Sequence, residues 1–183
     1  MSKADKVLSG IEKVAQQTSL PIIGVEKGAV LERIVKENQP DTILEIGTLV
    51  GYSAILMAKD LKKGKIISIE INKKNYSAAK ANIELAGLSD KVELINGDAL
   101  ETIDTLDGPF DMVFIDAIKE DYLKYLKAVE PKMAKNAIIV ADNVGMFKDK
   151  VKDFLDYVRK SGKYKSELHD FGFDGVEVSK RIG

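Results

Sequence analysis

Five short apolar runs occur in the middle of the chain, and a helical pattern separates each run from the next. The runs are TILEIG (42–47), KIISIE (65–70), KVELIN (91–96), FDMVFID (110–116) and AIIVAD (137–142). Apolar residues at helical spacing cover 51–61, 73–86, 99–106 and 120–130 between them. Strands that alternate with helices predict βαβ units, and uninterrupted apolar runs are typical of strands covered on both faces. The pattern therefore predicts an α/β fold built on a mostly parallel sheet.

Further elements flank this alternating region. Residues 3–17 and 26–38 show the apolar spacing of amphipathic helices, and the second pattern ends before Pro40. After residue 143 the spacing predicts one more helix. The segments 164–170 and 175–181 then alternate between polar and apolar residues, which predicts an antiparallel pair of strands at the sheet edge.

Length and composition restrict the class of protein. The 183 residues suit one domain, with N-terminal helices at 1–38 and a Rossmann-like core at 41–183. The formal net charge of −1 argues against a general nucleic-acid binder, and the lack of cysteine excludes disulfides, thiolate metal sites and cysteine nucleophiles. No apolar run reaches the roughly 18 residues of a membrane span, and the N-terminus has no signal-peptide core. We therefore expect a cytoplasmic protein that does not interact with membranes.

The loop LEIGTLVGYSA joins the first predicted strand to its helix. Gly47 and Gly51 allow a tight turn and a close approach to a ligand, and Tyr52 and Ser53 begin a helix with free N–H groups. The G-x-x-x-G spacing differs from the G-x-G-x-x-G that binds a pyrophosphate. Glu70 ends the second strand, where a carboxylate can accept hydrogen bonds from ribose hydroxyls. Together these features indicate a nucleoside ligand without a pyrophosphate on the loop, and S-adenosylmethionine fits that description.

Asp98 follows the third strand, in the sequence NGDA. At this position its carboxylate can accept a hydrogen bond from an adenine amino group. Aspartate is also a favoured residue for capping a helix N-terminus. Both roles can hold together.

Polar residues end two of the predicted strands. Asp116 ends the fourth strand, and Asp142 and Asn143 end the fifth. If these strands are neighbours, their carboxyl ends lie about 5 Å apart at the edge where open α/β sheets bind ligands. Carboxylate and amide oxygens suit Mg²⁺, which takes six oxygen ligands. Helix caps and turns explain each residue singly, whereas the three together predict a metal site beside the nucleoside site.

Lys119 lies three residues after Asp116, in the sequence DAIKE. One tight turn would bring its amine back over the metal, where a neighbouring cation favours the neutral amine that can accept a proton. A solvated helix lysine is the alternative. His169 is the sole histidine, and we expect it to be an edge-strand residue without a chemical role.

Four segments carry a resemblance to a known family. They are ENQPDTILEIGTLVGYSAILMA, IISIEINKKNYSAAKANIELAGLSDKVELINGDA, FDMVFIDAIKEDYL and IIVADNV…DFLDYVR. The chain resembles the metal-dependent O-methyltransferases of the catechol and caffeoyl-CoA type, which are class I S-adenosylmethionine enzymes, over about residues 21–181. The resemblance implies a Rossmann-like three-layer sandwich. Its seven-stranded, mostly parallel sheet has an antiparallel last strand.

The resemblance also implies roles for residues at the matching positions. Lys119 would be the general base, and Asp116, Asp142 and Asn143 would bind Mg²⁺ or another divalent cation. The methyl donor is expected to contact Glu45, Gly47, Gly51, Tyr52, Ser53, Glu70, Ile71, Asp98, Ala99, Asp116 and Ile118. The implied reaction is an in-line displacement, in which a chelated phenolate-type oxygen attacks the sulfonium methyl group.

The sequence departs from the animal catechol enzyme at two places. Ala117 and Ile118 stand where that enzyme has a His-Trp pair against the adenine. The carboxylate that contacts the second substrate hydroxyl there has no clear match, and Glu167 and Asp170 are both near. The loop that closes over large acyl-CoA substrates is absent.

Several functions remain open from the sequence. The first is methylation of one of two vicinal hydroxyls on a small catechol-like aromatic. The second has the same chemistry on 5-hydroxyuridine in tRNA, with a basic rim formed by Lys62, Lys63, Lys65, Lys73 and Lys74. A nicotinamide-dependent oxidoreductase and a binding protein without catalysis are alternatives of other classes. A homodimer is a further possibility.

Overall fold

A seven-stranded sheet forms the centre of the molecule in the computed structural model, which describes residues 1–182. The strands are β1 Thr42–Ile46, β2 Lys65–Glu70, β3 Val92–Asn96, β4 Phe110–Ile115, β5 Met133–Ala141, β6 Tyr164–Asp170 and β7 Gly175–Arg181. Their order is β3-β2-β1-β4-β5-β7-β6, and β7 pairs antiparallel with both of its neighbours. The predicted parallel sheet with an antiparallel pair at one edge is confirmed.

Within residues 1–182, seven α-helices cover the two faces of the sheet. They are α1 Lys3–Thr18, α2 Gly24–Asn38, α3 Tyr52–Ala58, α4 Lys73–Ala86, α5 Ala99–Thr105, α6 Tyr122–Val129 and α7 Lys152–Lys160. The first four pack into one apolar core and the last three into the other. Alternate strand residues supply the two cores, as Phe114 and Ile115 of β4 illustrate. Within residues 1–182 we find no helix that combines the length and apolarity needed to cross a membrane.

Most predicted boundaries are met within one or two residues, helix α3 ends three residues earlier than predicted, and two regions differ more. Strand β5 begins at Met133, four residues before the apolar run, because buried Met133 pairs with Phe110 of β4, and exposed Lys135 and Asn136 lie between it and that run. Asn136 has a φ of 39°, and the register with β4 shifts between Phe110 and Met112. A 3₁₀ turn at Lys119–Asp121 precedes α6, where the sequence predicted a continuous helix.

The carboxyl ends of three adjacent strands finish in register. The backbone N–H of Gly47 donates to Ile69 O at 3.0 Å, and that of Asp116 donates to Ile46 O at 3.0 Å. The N–H of Asp142 donates to Ile115 O at 3.1 Å. The residues that follow β1, β4 and β5 therefore lie side by side at one edge of the sheet, as predicted for neighbouring strands.

Candidate active site

Two cavities open at the edge of the sheet formed by the carboxyl ends of β1, β4 and β5. Their walls share Gly47, Glu70 and Ala117. The first has a volume of about 330 Å³, and its wall also includes Tyr52, Ser53, Asp116, Lys119, Asn143 and Phe147. The second has a volume of about 230 Å³, and its wall also includes Ile71, Asp98, Ala99 and Ile118. A larger cavity of about 410 Å³ lies at the opposite edge of the sheet, away from these residues.

The glycine loop is held in place by Glu70. The backbone N–H of Leu49 donates to Glu70 Oε2 at 2.7 Å, and that of Asn72 donates to Oε1 at 2.8 Å. Each carboxylate oxygen can accept a second hydrogen bond, and Glu70 lies between the two cavities. Its geometry is compatible with the predicted contact to ribose hydroxyls, which stays a prediction.

Position 47 requires a glycine, both because of its backbone conformation and because of the atoms around it. Its φ is +96°, and a Cβ atom built on it would lie 2.2 Å from Asp116 O. We therefore expect Gly47→Ala to lower the free energy of unfolding by at least about 2 kcal/mol. Urea unfolding measures the change. Gly10→Ala is the matched control, because Gly10 lies inside α1 with open space around it, and a gain of about 0.5–1 kcal/mol is expected there. Equal effects of the two substitutions would contradict this account.

Glu45 lies beneath the glycine loop and is fully buried. Its carboxylate accepts hydrogen bonds from the Ser53 hydroxyl, at 2.5 Å, and from the Ser68 hydroxyl. Burial raises the pKa of Glu45 to about 7, with a smaller contribution from the charge of Asp116, while the two hydroxyls lower it. Glu45 is absent from the walls of the two cavities, so its predicted contact with the donor stays a prediction. What the structure shows is support for Ser53, which does line the first cavity.

The raised pKa of Glu45 gives a prediction for stability against pH. The folded chain holds the Glu45 proton more tightly than the unfolded chain does, so the contribution of this group to stability falls as the pH rises from 4.5 to about 7. The slope is at most about 1.4 kcal/mol per pH unit. Glu45→Gln cannot titrate, so in urea unfolding it should remove the decline between about pH 6 and 7, above the range in which Asp142, with a pKa raised to about 6, adds a decline of its own. Glu93→Gln, on an exposed position of β3, should retain it. A decline between about pH 6 and 7 that persists in Glu45→Gln would disprove the assignment.

Asp98 caps a helix at the second cavity. It is the N-cap residue of α5, and its carboxylate accepts from Leu100 N at 2.8 Å. Ile71 and Ile118 are more than half exposed, at 61% and 52%, and lie in the same cavity wall. The structure thus shows the capping role of Asp98. It brings the residues predicted to contact the adenosine together around one cavity.

The first cavity ends at the strand tips that carry the predicted metal ligands. Lys119 Nζ donates to Asp116 Oδ1 at 2.6 Å and contacts the Tyr122 hydroxyl at 2.8 Å. That hydroxyl donates to Asp142 O at 3.0 Å. The 3₁₀ turn after β4 is what returns the lysine to the strand end. The structure therefore brings Lys119 to the predicted metal ligands.

The place where Asp116, Lys119, Asp142 and Asn143 meet is called the corner below. The sequence analysis missed two further residues there. Lys27 of α2 donates to both oxygens of Asp142, at 2.7 and 2.9 Å, and to Asp174 Oδ2 at 2.6 Å. Asp174 lies just before β7, and it and Asp142 are 2% and 1% exposed. Burial and the charge of Asp116 raise the pKa of Asp142 to about 6, and the Lys27 ammonium opposes that rise. The three carboxylates and two ammonium groups leave one net negative charge at the corner.

A sequence signal existed for one of the two missed residues. Lys27 precedes Leu31 by four positions and Ile34 by seven, so it lies on the apolar stripe of α2. A lysine at such a position needs a buried partner. Asp174 gave no comparable signal, because Asp-Gly is an ordinary turn sequence.

The remaining residues considered from sequence lie outside this corner. Glu167 is 78% exposed, and His169 on the same strand lies 4.0 Å from its Oε1. Asp170 accepts from Gly172 N at 2.8 Å, within its own loop. The carboxylate that this part of the chain contributes to the corner is Asp174. Neither Glu167 nor Asp170 lines the two cavities.

The oxygen atoms at the corner suit a divalent cation as ligands. Asp116 and Asp142 supply carboxylate oxygens, and no group among residues 1–182 donates to Asn143 Oδ1, which leaves that oxygen available. In the described part of the chain no three His, Cys, Asp or Glu side chains form a metal-binding group, so the site depends on the amide of Asn143. The Lys27 ammonium shows that the corner stabilises a cation. Each oxygen of Asp142 keeps a second lone pair.

Comparison with known proteins assigns the family. The family model described as O-methyltransferase matches residues 2–168. The chain belongs to the O-methyltransferase family. It is 37% identical over 144 residues to catechol O-methyltransferase of Mycobacterium tuberculosis, covering 76% of this chain and 66% of that protein. It is also 37% identical over 152 residues to catechol O-methyltransferase B of Danio rerio, covering 79% of this chain and 57% of that protein.

A solved structure shares the fold over nearly the whole chain. The O-methyltransferase from Bacillus cereus in complex with SAH aligns with a TM-score of 0.85 and 27% identity, covering 96% of this chain and 90% of that one. The chain spans less than two thirds of the length of the two curated relatives above. The resemblance inferred from the sequence and the predicted three-layer fold are thus confirmed.

Proposed function

We propose that this protein is a divalent-metal-dependent O-methyltransferase. It would transfer the methyl group of S-adenosylmethionine to one of two vicinal hydroxyls on a small catechol-like aromatic. The observation that carries the proposal is the meeting of Asp116, Lys119, Asp142 and Asn143 beside the cavity walled by the glycine loop. Membership of the family and the SAH-containing relative support the choice of donor.

The donor would bind across the two cavities. The adenosine would occupy the second cavity between Ile71 and Ile118, with Asp98 at its edge and Glu70 against the ribose. The methionine part would extend past Gly47 into the first cavity, near Ser53. This orientation directs the sulfonium methyl group toward the corner that holds Lys119.

The residues of the corner would bind and activate the acceptor. Asp116, Asp142 and Asn143 would hold Mg²⁺, which when bound chelates both hydroxyls and makes them more acidic. Phe147 lines the same cavity and offers an apolar wall to an aromatic ring. Lys27 offsets the charge of Asp142 without entering the cavity wall.

Lys119 would remove the proton from the attacking hydroxyl. Its neutral amine accepts that proton at Nζ, and the resulting ammonium is stabilised by Asp116 Oδ1 at 2.6 Å. The freed oxygen would form a bond to the methyl carbon as the carbon–sulfur bond breaks. The electron pair of the broken bond would stay on sulfur, and the donor would leave as S-adenosylhomocysteine. Holding both reactants in line supplies much of the rate.

The test is a screen for methyl transfer from labelled S-adenosylmethionine. The acceptors are catechol, phenol as a single-hydroxyl control, a hydroxycinnamoyl thioester and tRNA that contains 5-hydroxyuridine. Each is assayed with Mg²⁺ and with excess chelator. We expect transfer to catechol that requires the metal, and none to phenol. Transfer that persists in the chelator would refute the metal mechanism, and transfer to tRNA alone would refute the small-molecule acceptor.

The position of the lysines favours the small acceptor. Lys62, Lys63 and Lys65 lie at the amino end of β2, whereas Lys73 and Lys74 follow its carboxyl end. Six residues of extended strand separate the two groups by about 20 Å. The five lysines therefore do not form one continuous rim beside the cavities, although Lys73 and Lys74 remain close to the donor site. The tRNA acceptor stays an alternative that the screen decides.

A further inference from the structure

Asn143 must present its oxygen, and not its nitrogen, to a cation, and an amide group can face either way. The Nδ2 atom of Asn143 donates to Asp174 Oδ2 at 2.8 Å. This hydrogen bond fixes which end of the amide faces Asp174 and leaves Oδ1 on the opposite side. The orientation of a metal ligand is thus set by a carboxylate that does not line the cavity.

Asp174 is itself held on both oxygens. Oδ2 also accepts from Lys27 Nζ at 2.6 Å, and Oδ1 accepts from Met146 N at 3.1 Å. The backbone leaves little freedom, because a Cβ built on Gly145 would lie 2.7 Å from the carbonyl carbon of Asp174. Asn143 has a φ of 59°, a conformation that asparagine tolerates better than most residues. The side chain of Asp174 is therefore fixed before any ligand binds.

We propose that Asp174, anchored by Lys27, is a positioning residue that turns the Asn143 oxygen toward the divalent cation. The same ammonium joins Asp174 to Asp142, so one lysine links two of the three proposed ligands to a single support. The inference rests on the proposed metal-dependent function. It concerns a hydrogen-bond donor and acceptor pair behind the ligands, and such outer partners typically contribute 10–100-fold to metal affinity.

The test measures Mn²⁺ affinity in the full chain by electron paramagnetic resonance, without turnover. Asp174→Ala removes the acceptor for Asn143 and is expected to weaken Mn²⁺ binding by about 10–100-fold. Asp174→Asn loses the charge and the hydrogen bond from Met146 N but can direct its oxygen at both Asn143 and Lys27, so it should recover part of the affinity. Unchanged affinity in Asp174→Ala would overturn the proposal. Equal weakening in both variants would also overturn it, because an acceptor for Asn143 would then make no difference to the affinity.

Two controls separate this inference from the proposed function. Asp149→Ala removes one exposed charge from the loop after Asn143 and should leave Mn²⁺ affinity unchanged. Asp142→Ala should abolish Mn²⁺ binding at the site. If the unsubstituted chain binds no Mn²⁺ in an Asp142-dependent way, the proposed metal site fails. If Mn²⁺ binding does depend on Asp142 and Asp174→Ala leaves the affinity unchanged, only the positioning role fails.

A measurement on the unsubstituted chain covers the case in which Asp174→Ala does not fold. Binding of S-adenosylhomocysteine reports whether each variant is folded. In nuclear magnetic resonance spectra, the Asn143 side-chain N–H proton that is donated to Asp174 should exchange slowly with solvent, both before and after Mg²⁺ is added. Rapid exchange in either state would contradict the proposed orientation.

Discussion

Replacing Asp142 with alanine is expected to reduce methyl transfer by about a thousandfold or more, which corresponds to the several kcal/mol that a metal ion contributes as a Lewis acid. Asp142 is 1% exposed, and both its oxygens accept from Lys27. The substitution removes a proposed ligand and leaves the ammonium with Asp174 as its partner. Affinity for S-adenosylhomocysteine should be largely kept, because Asp142 does not line either of the two cavities proposed to bind the donor.

The measurement pairs turnover with donor binding. Labelled methyl transfer to catechol gives the rate, and calorimetry with S-adenosylhomocysteine shows whether the donor site is intact. Asp149→Ala is the matched control, because it removes an exposed aspartate from the loop after β5 and should leave both values unchanged. Turnover that survives in Asp142→Ala would exclude the proposed metal site of Asp116, Asp142 and Asn143.

Replacing Lys119 with methionine is expected to lower kcat by about 10²–10⁴-fold, the usual contribution of a general base. Methionine keeps most of the apolar length of the side chain and removes the amine. Lys119 Nζ lies 2.6 Å from Asp116 Oδ1 and 5.8 Å from the centre of the Phe147 ring, at the inner end of the first cavity. Mn²⁺ affinity should be retained, since the substitution removes a positive charge from beside a proposed ligand.

Lys124→Met provides a close control for this substitution. Lys124 pairs with Asp121 at 2.6 Å, also three residues apart, but it is 67% exposed and lies outside the cavities. Its replacement should leave kcat unchanged. A normal kcat in Lys119→Met would assign proton removal to another group.

Much of the fold could be predicted from residue patterns. The period of apolar residues distinguished strands from helices, and α4, β2, β6 and β7 begin and end where the sequence predicted. Strand β5 was the clearest miss, because exposed Lys135 and Asn136 and a shift in register with β4 separate its first residue, the buried Met133, from the apolar run that starts at Ala137. A prediction based on uninterrupted apolar runs does not extend a strand across such an irregularity.

The same distinction holds at the site. Asp116, Asp142 and Asn143 could be recognised because polar residues at strand ends meet at one edge of a parallel sheet, and Lys119 because it lies one turn away from Asp116. Local sequence carries that information. The amino-acid sequence by itself thus determined the fold class, the glycine loop and the proposed set of metal ligands.

Only the tertiary structure decided how those ligands are supported. Lys27 and Asp174 lie 115 and 32 positions from Asp142 along the chain, on opposite sides of it, and meet there because α2 packs over the sheet next to β7. Their pairing depends on the distance between elements far apart in sequence, and no local pattern encodes that distance. The burial of Asp142 and the orientation of the Asn143 amide follow from that packing.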